Sequence, residues 1–489
     1  MKKGVFFVLC PLIFANLNAQ NLRLTLDEAI YLARMSRSHQ IIQIDSLINE
    51  YNHELFRINR LPRLSMSGSI PMNNSISIVT QPDGSDRFVN RFNSTANVGL
   101  SLSQLLPFTG QSISISSNLS RLDNFEPSRT TSYGFSALSI SYSQPISRYN
   151  EFRWNVKSHN LRRQIDYIRH HQSIEAINQQ VVDLFFNLVI EQRRVDLNKS
   201  ILEFSRSVYE IARALYAERR ISEEDYLGTR IEYYMALDNM NNVYVEDAKE
   251  RLRNFLNMPG ETQIIADFDF DILSTYQFNF NIHQVIENVS YYNRQLNNDY
   301  INLRHNQRLE QLRSTAGPTI SVSLGGGFNS QSDYISFITD GMNRQMNASV
   351  SLSFPILNWG QNRIQRRILE QEMKKVYLSN AEMEGRDRST HKRELEYVLF
   401  AVRSITRNKE LMNLLKRRME LLKINVEHGR IDIQDLVRAR TQLIRAEMNY
   451  VREVRGLYII IYRYRYLSLI DIRNNTSVIS SNVFYGLPN

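Results

Sequence analysis

Two hydrophobic periods alternate along this chain. In four stretches, apolar or small residues recur at every second position. Leu64, Met66, Gly68 and Ile70 alternate with Arg63, Ser65, Ser67 and Ser69. Leu138, Ile140 and Tyr142 alternate with Ser139, Ser141 and Ser143. Ile320, Val322 and Leu324 alternate with Thr319, Ser321 and Ser323, and Ala348 to Ile356 repeat the pattern around Ser349, Ser351 and Ser353. Successive side chains of a strand point to opposite faces, so each run predicts a strand with one apolar and one hydroxyl-rich face. A soluble sandwich would show this pattern. So would a transmembrane barrel, with apolar residues toward lipid and Ser or Thr toward a wet lumen. Tyr133, Phe135, Tyr142, Phe328, Tyr334 and Phe337 stand near the ends of these runs, where they suit an interfacial aromatic belt.

Elsewhere the period is close to 3.5. Ile174, Ile177, Val181, Leu184 and Leu188 step by three and four, and so do Met412, Leu415, Met419, Leu422 and Val426. This is the knobs-into-holes spacing of a coiled coil. No proline falls between Pro145 and Pro259, or between Pro355 and Pro488. Proline breaks helix interiors, so each gap predicts very long helix. A helix from about Ser147 to Tyr216 would be on the order of 100 Å long at ~1.5 Å per residue. A second, from about Glu223 to Asn257, returns antiparallel. The later gap repeats the pair and turns near Gly429. Helices this long cannot fold as isolated globular cores and must pack side by side.

The two patterns occur twice. Pro62 in LPRLSMSGS aligns with Pro318 in AGPTISVSL at an offset of 256, and Pro145 in SYSQPISRYN aligns with Pro355 in SLSFPILNWG at an offset of 210. The second offset also lays YAERRISEEDYL (Tyr216 to Leu227) over VEHGRIDIQDLV (Val426 to Val437), with Ile221 over Ile431 and Asp225 over Asp435. The offsets differ by 46 residues, which is one insertion in the first copy. It carries two further alternating runs, Val98, Leu100, Leu102 and Ile113, Ile115, with PFTG (Pro107 to Gly110) between them. We read it as an extra hairpin. A two-copy chain predicts internal pseudo-symmetry.

Composition narrows the setting. Lys2 and Lys3 precede an apolar run from Val5 to Phe14, and Ala19 offers a cleavage point before Gln20, so residues 1-19 read as a secretory signal. Cys10, the one cysteine, would leave with it; it lies too early, and before Pro11, for a lipoprotein cleavage point. The mature chain then has no disulfide and no thiolate chemistry. The net charge of +9 falls to +7 without Lys2 and Lys3, and the arginines are interleaved with acids along helical stretches. That describes solvated helix faces and no nucleic-acid partner. The basic-aromatic run YRYRY (Tyr462 to Tyr466) reads as a helix end. No later stretch reaches the ~18 apolar residues of a membrane helix. The chain is therefore periplasmic, secreted, or an outer-membrane β-barrel.

No set of residues suggests catalysis, a metal site or a cofactor. His170 and His171 are adjacent, so on a helix they point apart. Gly325 to Gly327 follow a strand but precede no helix, as a phosphate cradle requires, and read as a strand end or loop.

Five features now stand in order: LTLDEAIYLA (Leu24 to Ala33), SYSQPIS, SLSFPILNWGQNR, VEHGRIDIQDL and the duplication. Together they resemble the TolC family of outer membrane efflux proteins, over essentially the whole mature chain. The resemblance implies a mixed α+β membrane protein and a homotrimer. Each protomer gives four strands to a shared twelve-stranded barrel in outer membrane lipid. Its long antiparallel helices join a trimeric α-barrel in the periplasm, wrapped by a small equatorial region. On that pattern, 20-60 is the first copy's N-terminal helix, 61-145 its barrel strands with the extra hairpin, and 146-257 its long helical hairpin. Residues 258-281 are an equatorial segment. The second copy follows as an N-terminal helix at 282-316, strands at 317-356 and a helical hairpin at 357-469, with a C-terminal equatorial tail at 470-489.

The implied function is a passive exit duct, not an enzyme. A periplasmic adaptor protein and an inner-membrane transporter dock at the helical tips. The docking residues are then Arg219, Arg220, Ile221 and Ser222 in turn one, and Gly429, Arg430, Ile431 and Asp432 in turn two. Asp225 and Asp435 match the acids at the periplasmic entrance, and Arg438 stands where the family can carry a second acid. Gly429 matches the tip glycine; Arg219 replaces it in turn one, which predicts a different backbone there. The contrasting expectation is a non-conducting periplasmic coiled-coil scaffold or adhesin, whose strands would sit in water.

Overall fold

The computed structural model describes residues 22–146, 149–240, 243–260, 262–270, 278, 280–427 and 433–479. The expected signal segment lies outside them. The chain begins with β1 (Leu22–Leu24), α1 (Leu26–Ala33) and α2 (Arg37–Ile58). Five strands follow: β2 (Arg63–Ser69), β3 (Met72–Thr80), β4 (Asp86–Leu105), β5 (Ser112–Glu126) and β6 (Thr130–Ile146). Then come α3 (Glu151–Ala217), α4 (Glu223–Asp238), α5 (Val243–Leu256), β7 (Ile264–Ala266), α6 (Ile282–Ser290) and α7 (Leu296–Ala316). The second copy continues with β8 (Thr319–Ser332), β9 (Asn343–Ser353), α8 (Gln361–Glu427) and α9 (Ile433–Ser468), and the short β10 (Ile470–Asp471) and β11 (Thr476–Ser477) close it. The long helices α3 and α8 are each 67 residues.

The expected helix from Glu223 to Asn257 is in fact two helices, α4 and α5. Asn239 caps α4: its side-chain amide donates to the Met235 carbonyl at 2.9 Å, and its own carbonyl accepts from the Asn198 side chain at 2.9 Å. Asn competes for backbone groups in this way and so favours helix ends. At the same offset in the second copy, Tyr450 and Val451 follow Asn449 and are buried, and α9 runs unbroken.

The chain divides into two compact units. The first draws on residues up to Leu47, Ile165–Leu296 and Ala381 onward. Its core joins Leu26, Ala29 and Ala33 of α1 to Val181, Phe185 and Phe186 of α3, Leu252 of α5, Leu395 and Val398 of α8, and Val454, Tyr458 and Ile461 of α9. β1 pairs in parallel with β7, and β10 with β11 in antiparallel. Thr25 caps α1 in a capping box: the Thr25 amide donates to the Glu28 carboxylate at 2.9 Å while Glu28 N–H bonds the Thr25 hydroxyl.

The end of α9 holds the YRYRY run inside this core. Tyr462 and Tyr464 are 2% and 0% exposed. Arg465 donates to both carboxylate oxygens of Glu175 at 3.0 Å and to Asp471 at 2.9 Å, and Arg473 donates to Asp471 at 2.8 Å. Burial opposes charge on Asp471, but the hydrogen bonds and charges of Arg473 and Arg465 outweigh it and hold its carboxyl below the usual range. The run therefore anchors a helix end, and its aromatic rings are not offered to a nucleic acid.

The second unit, Ile48–Gln164 and Asn297–Asn380, is built on one antiparallel sheet. Its order is β2–β4–β5–β6–β8–β9, with β3 also paired to β4. β2 lies against Asn97–Ser103 of β4 and β3 against Asp86–Ser94, so β2 and β3 occupy one position end to end. Pro71 separates them, and its carbonyl accepts from Thr95 N at 3.1 Å. The sheet thus has seven strands in six positions: the four expected strands β2, β6, β8 and β9, the two runs of the extra hairpin, and β3, which was not expected. The extra hairpin is β4–β5, and it enters the sheet between β2 and β6.

The alternation survives pairing in rows that cross all six positions. One row runs Leu64–Leu102–Ile115–Ile140–Gly326–Met346, and the next Ser65–Ser101–Ser116–Ser139–Gly327–Gln345. One face is apolar and uncovered: Leu64, Met66, Val350 and Leu352 are each 68–72% exposed. The opposite face is hydroxyl and amide, and Asn118, Ser120, Ser136 and Asn329 line a concavity of ≈ 620 Å³ on it. Gly325 to Gly327 lie within β8, not at its end. β6 bulges between Ser136 and Leu138, opposite Phe328 and Asn329; Gly327, paired with Ser139, is the next residue along, and a Cβ there would come within 2.2 Å of the Leu138 carbonyl oxygen. The glycine admits this close backbone approach beside the bulge.

Candidate functional site: the helix–helix turns

Turn one joins α3 to α4 in the first unit. Arg219 N donates to Tyr216 O at 2.9 Å and Arg220 N to Leu215 O at 2.8 Å. These two bonds form a Schellman motif, which satisfies carbonyls left open at the end of α3. The motif requires a left-handed residue, and Arg219 supplies it at φ 57°. Arg219 therefore takes the glycine conformation, which costs a side chain on the order of 1–2 kcal/mol. The expectation that this substitution would move the turn away from that backbone is corrected.

Ser222 begins α4 in extended backbone. Its hydroxyl accepts from Asp225 N at 3.1 Å and donates to the Asp225 carboxylate at 2.7 Å. Glu223, Glu224 and Asp225 all fall in the first turn, where the helix dipole favours negative charge. Arg220 reaches Glu218 at 3.6 Å with both side chains exposed, a pairing of little energetic weight. Ile221 turns inward instead, against a cluster of Val208, Ala212 and Leu436. The tip of the first hairpin is thus fastened to the start of α9.

Turn two, His428 to Asp432, lies outside the described residues, and Gly429, Arg430, Ile431 and Asp432 with it. The start of α9 is described. Asp435 sits in its first turn and accepts from Arg438 at 2.8 Å. The two matching acids are therefore held differently, Asp225 by a serine hydroxyl and Asp435 by an arginine.

Sequence reasoning missed a tyrosine ladder behind turn one. Tyr216 stacks on Tyr226 at 4.9 Å, Tyr209 on Tyr226 at 6.0 Å, and Tyr209 on Tyr233 at 5.6 Å. The signal was present: on each helix the two tyrosines are one heptad apart. The second copy has Met419, Leu436 and Leu443 at the places of Tyr209, Tyr226 and Tyr233.

No group of His, Cys, Asp or Glu suited to a metal ion occurs among the described residues. His170 and His171 have ring centroids 5.6 Å apart, edge to face.

With this geometry in hand, comparison with known proteins places the fold. No protein-family model matches the sequence, and no curated protein matches it. Solved structures do. The CmeC outer membrane channel of Campylobacter jejuni matches at TM-score 0.60 and 12% identity, over 91% of this chain and 85% of that one. The outer membrane protein VceC of Vibrio cholerae matches at 0.55 and 10%, over 92% and 96%. The open state of the Neisseria gonorrhoeae MtrE outer membrane channel matches at 0.51 and 14%, over 92% and 91%. At these identities the likeness is one of fold: the chain folds as these outer membrane channels do, along nearly its whole length.

Proposed function

We propose that the protein is an outer-membrane exit duct, a homotrimer with its sheets in outer membrane lipid and its helical part in the periplasm. The observation that carries this reading is the sheet with one bare apolar face and one hydroxyl face. In water that apolar face would be an exposed patch of the kind soluble monomers avoid; in lipid it is a wall. Tyr133 and Tyr142 lie nine positions apart on the face that carries Leu119 and Ile115, and a tilted strand needs ~9–11 residues to cross the hydrocarbon. A single open sheet leaves two unpaired edges, which lipid does not tolerate. The helices also favour assembly. Ile41, Ile44, Ile48, Tyr51, Leu55 and Ile58 of α2 step by three and four and are all exposed, a coiled-coil seam open to another copy.

The duct conducts passively between a periplasmic adaptor protein with its inner-membrane transporter and the exterior. The adaptor docks at the turns through Arg219, Arg220 and Ser222 and their counterparts in turn two, while Ile221 holds turn one from within. Asp225 and Asp435 lie at the entrance gate. Because Arg438 neutralises Asp435 locally, that entrance is not a ring of paired acids. Replacing Asp225 and Asp435 with Ala should raise the open fraction of single channels; unchanged opening and conductance would remove the gating role.

Membrane partition tests the duct itself. The protein should sediment with outer membranes, resist alkaline extraction, need detergent for solubility, and keep its β signal on heating in detergent. A protein released in soluble form would support the scaffold reading instead.

A further inference from the structure

The two edges of the sheet carry a consequence for the width of the duct, and it rests on the trimeric reading above. The β4–β5 hairpin is part of the wall. It stands between β2 and β6 in the same rows and with the same alternation, Leu102 and Ile115 on the apolar face, Ser101 and Ser116 on the polar face. It neither plugs the lumen nor hangs outside the sheet.

Six antiparallel positions are an even number, so the outermost strands, β2 and β9, run in opposite directions. The β2 edge of one copy therefore meets the β9 edge of the next in antiparallel fashion, as every other pair in the sheet does. The alternation is continuous as well, because both edges carry apolar residues on one face and Ser, Asn or Gln on the other. Neither edge is protected as edges of soluble sheets are. β2 and β9 contain no Lys, Asp or Glu and one arginine each, Arg63 and Arg344, and every residue of both strands is exposed. Pro71 interrupts the β2–β3 edge, where a missing N–H is tolerated. Open, uncharged edges of matching direction are templates for pairing, and the occupant with the right alternation is a second copy of this chain.

We propose that three copies join β2 of one to β9 of the next and close a single barrel of eighteen strands, not twelve. Three sheets of six positions supply that number. Barrel diameter grows roughly linearly with strand number, so the exit is about half as wide again as a twelve-stranded one. Hydroxyl and amide side chains dominate the lumen face, so the barrel passes bulky polar solutes without strong preference for charge. Narrowing and selection fall to the helical part.

Cysteine pairs in the full-length protein in outer membranes test this. Cys10 is the only native cysteine. Antiparallel partners lie ~4.5–5.5 Å apart at Cα, within disulfide reach. Ser65→Cys with Ser101→Cys reports β2 on β4, and Ser116→Cys with Ser139→Cys reports β5 on β6. Ser65→Cys with Ser139→Cys reports β2 directly on β6, as in a twelve-stranded wall. Ser67→Cys, combined in turn with Cys at Gln345, Asn347, Ser349 or Ser351, reports the junction between copies. The expected result is intrachain links for the first two pairs, none for Ser65 with Ser139, and covalent trimers from one or two of the junction pairs. A Ser65–Ser139 link, or intrachain links without any covalent trimer, would overturn the eighteen-stranded ring. Single-channel recording on the same samples separates the two readings. Channels that persist with a Ser65–Ser139 link keep the duct and reject its width, whereas protein that neither inserts nor conducts rejects both.

Discussion

The two units solve the same problem in opposite ways. The helical unit builds a core within one chain: Phe185, Phe186, Leu252 and Val454 have no exposed surface, and Tyr462 and Tyr464 of the YRYRY run are packed inward. The sheet unit leaves Leu64, Met66, Val350 and Leu352 bare and pairs neither outer edge. One unit closes a core in a single chain. The other leaves a whole face and both edges without a partner in one chain. Sequence composition does not separate them, since both are mixtures of apolar and polar residues. The period separates them: at 3.5 the apolar residues meet across helices, and at two they form a face that a single sheet cannot cover.

The largest effect should come from the helical unit. Arg465→Met leaves Glu175 buried without its partner, and breaking such a pair costs about 3–5 kcal/mol. Thermal unfolding followed by the helical signal should shift accordingly, with the β signal unmoved. The same network sets an acid limit. The Asp471 carboxyl is held below its usual range, so its contribution is full above the unfolded value of about 4 and is lost as pH falls through the folded value. Arg465→Met should therefore move the acid midpoint of the helical signal upward.

The sheet should answer to face and not to burial. Ile140→Arg puts a charge on the apolar face, at a cost of about 2–4 kcal/mol near the bilayer midplane. Ser139→Arg, one residue away on the lumen face, should leave assembly intact. Trimer yield in membranes and heat stability in detergent compare the two; equal losses would contradict a lipid-facing surface. Gly327→Ala crowds the Leu138 carbonyl and should cost about 1–3 kcal/mol in the β signal. The smallest effect belongs to turn one. Ser222→Ala removes the cap that orders Asp225, worth about 1 kcal/mol, and should loosen α4 without touching the sheet.

Much of this architecture was readable from the residues. The strict alternation around Leu64, Ile140, Ile320 and Val350 marked four strands, and the heptads marked α3 and α8. What escaped reading has physical causes. β3 lies between Pro71 and Pro82 and carries Asn73 and Asn74 behind its first residue, so its alternation is confined to Ser75–Ile78. Gly325 to Gly327 looked like a strand end because glycine packs nothing, and only the close approach of the Leu138 carbonyl shows why Gly327 is needed mid-strand. The break at Asn239 depends on a partner, Asn198, forty-one positions earlier. At the candidate site, the matching acids Asp225 and Asp435 were visible through the duplication. The left-handed Arg219 was not, because residue type argues against it and the Schellman bonds of the turn prevail.

Planar-bilayer recording of the purified, detergent-extracted protein, with its mass measured in the same preparation, tests the central claim most directly. The account predicts discrete channels from a trimer. A protein that stays monomeric, never inserts, and gives no conductance even with Asp225 and Asp435 neutralised would contradict it.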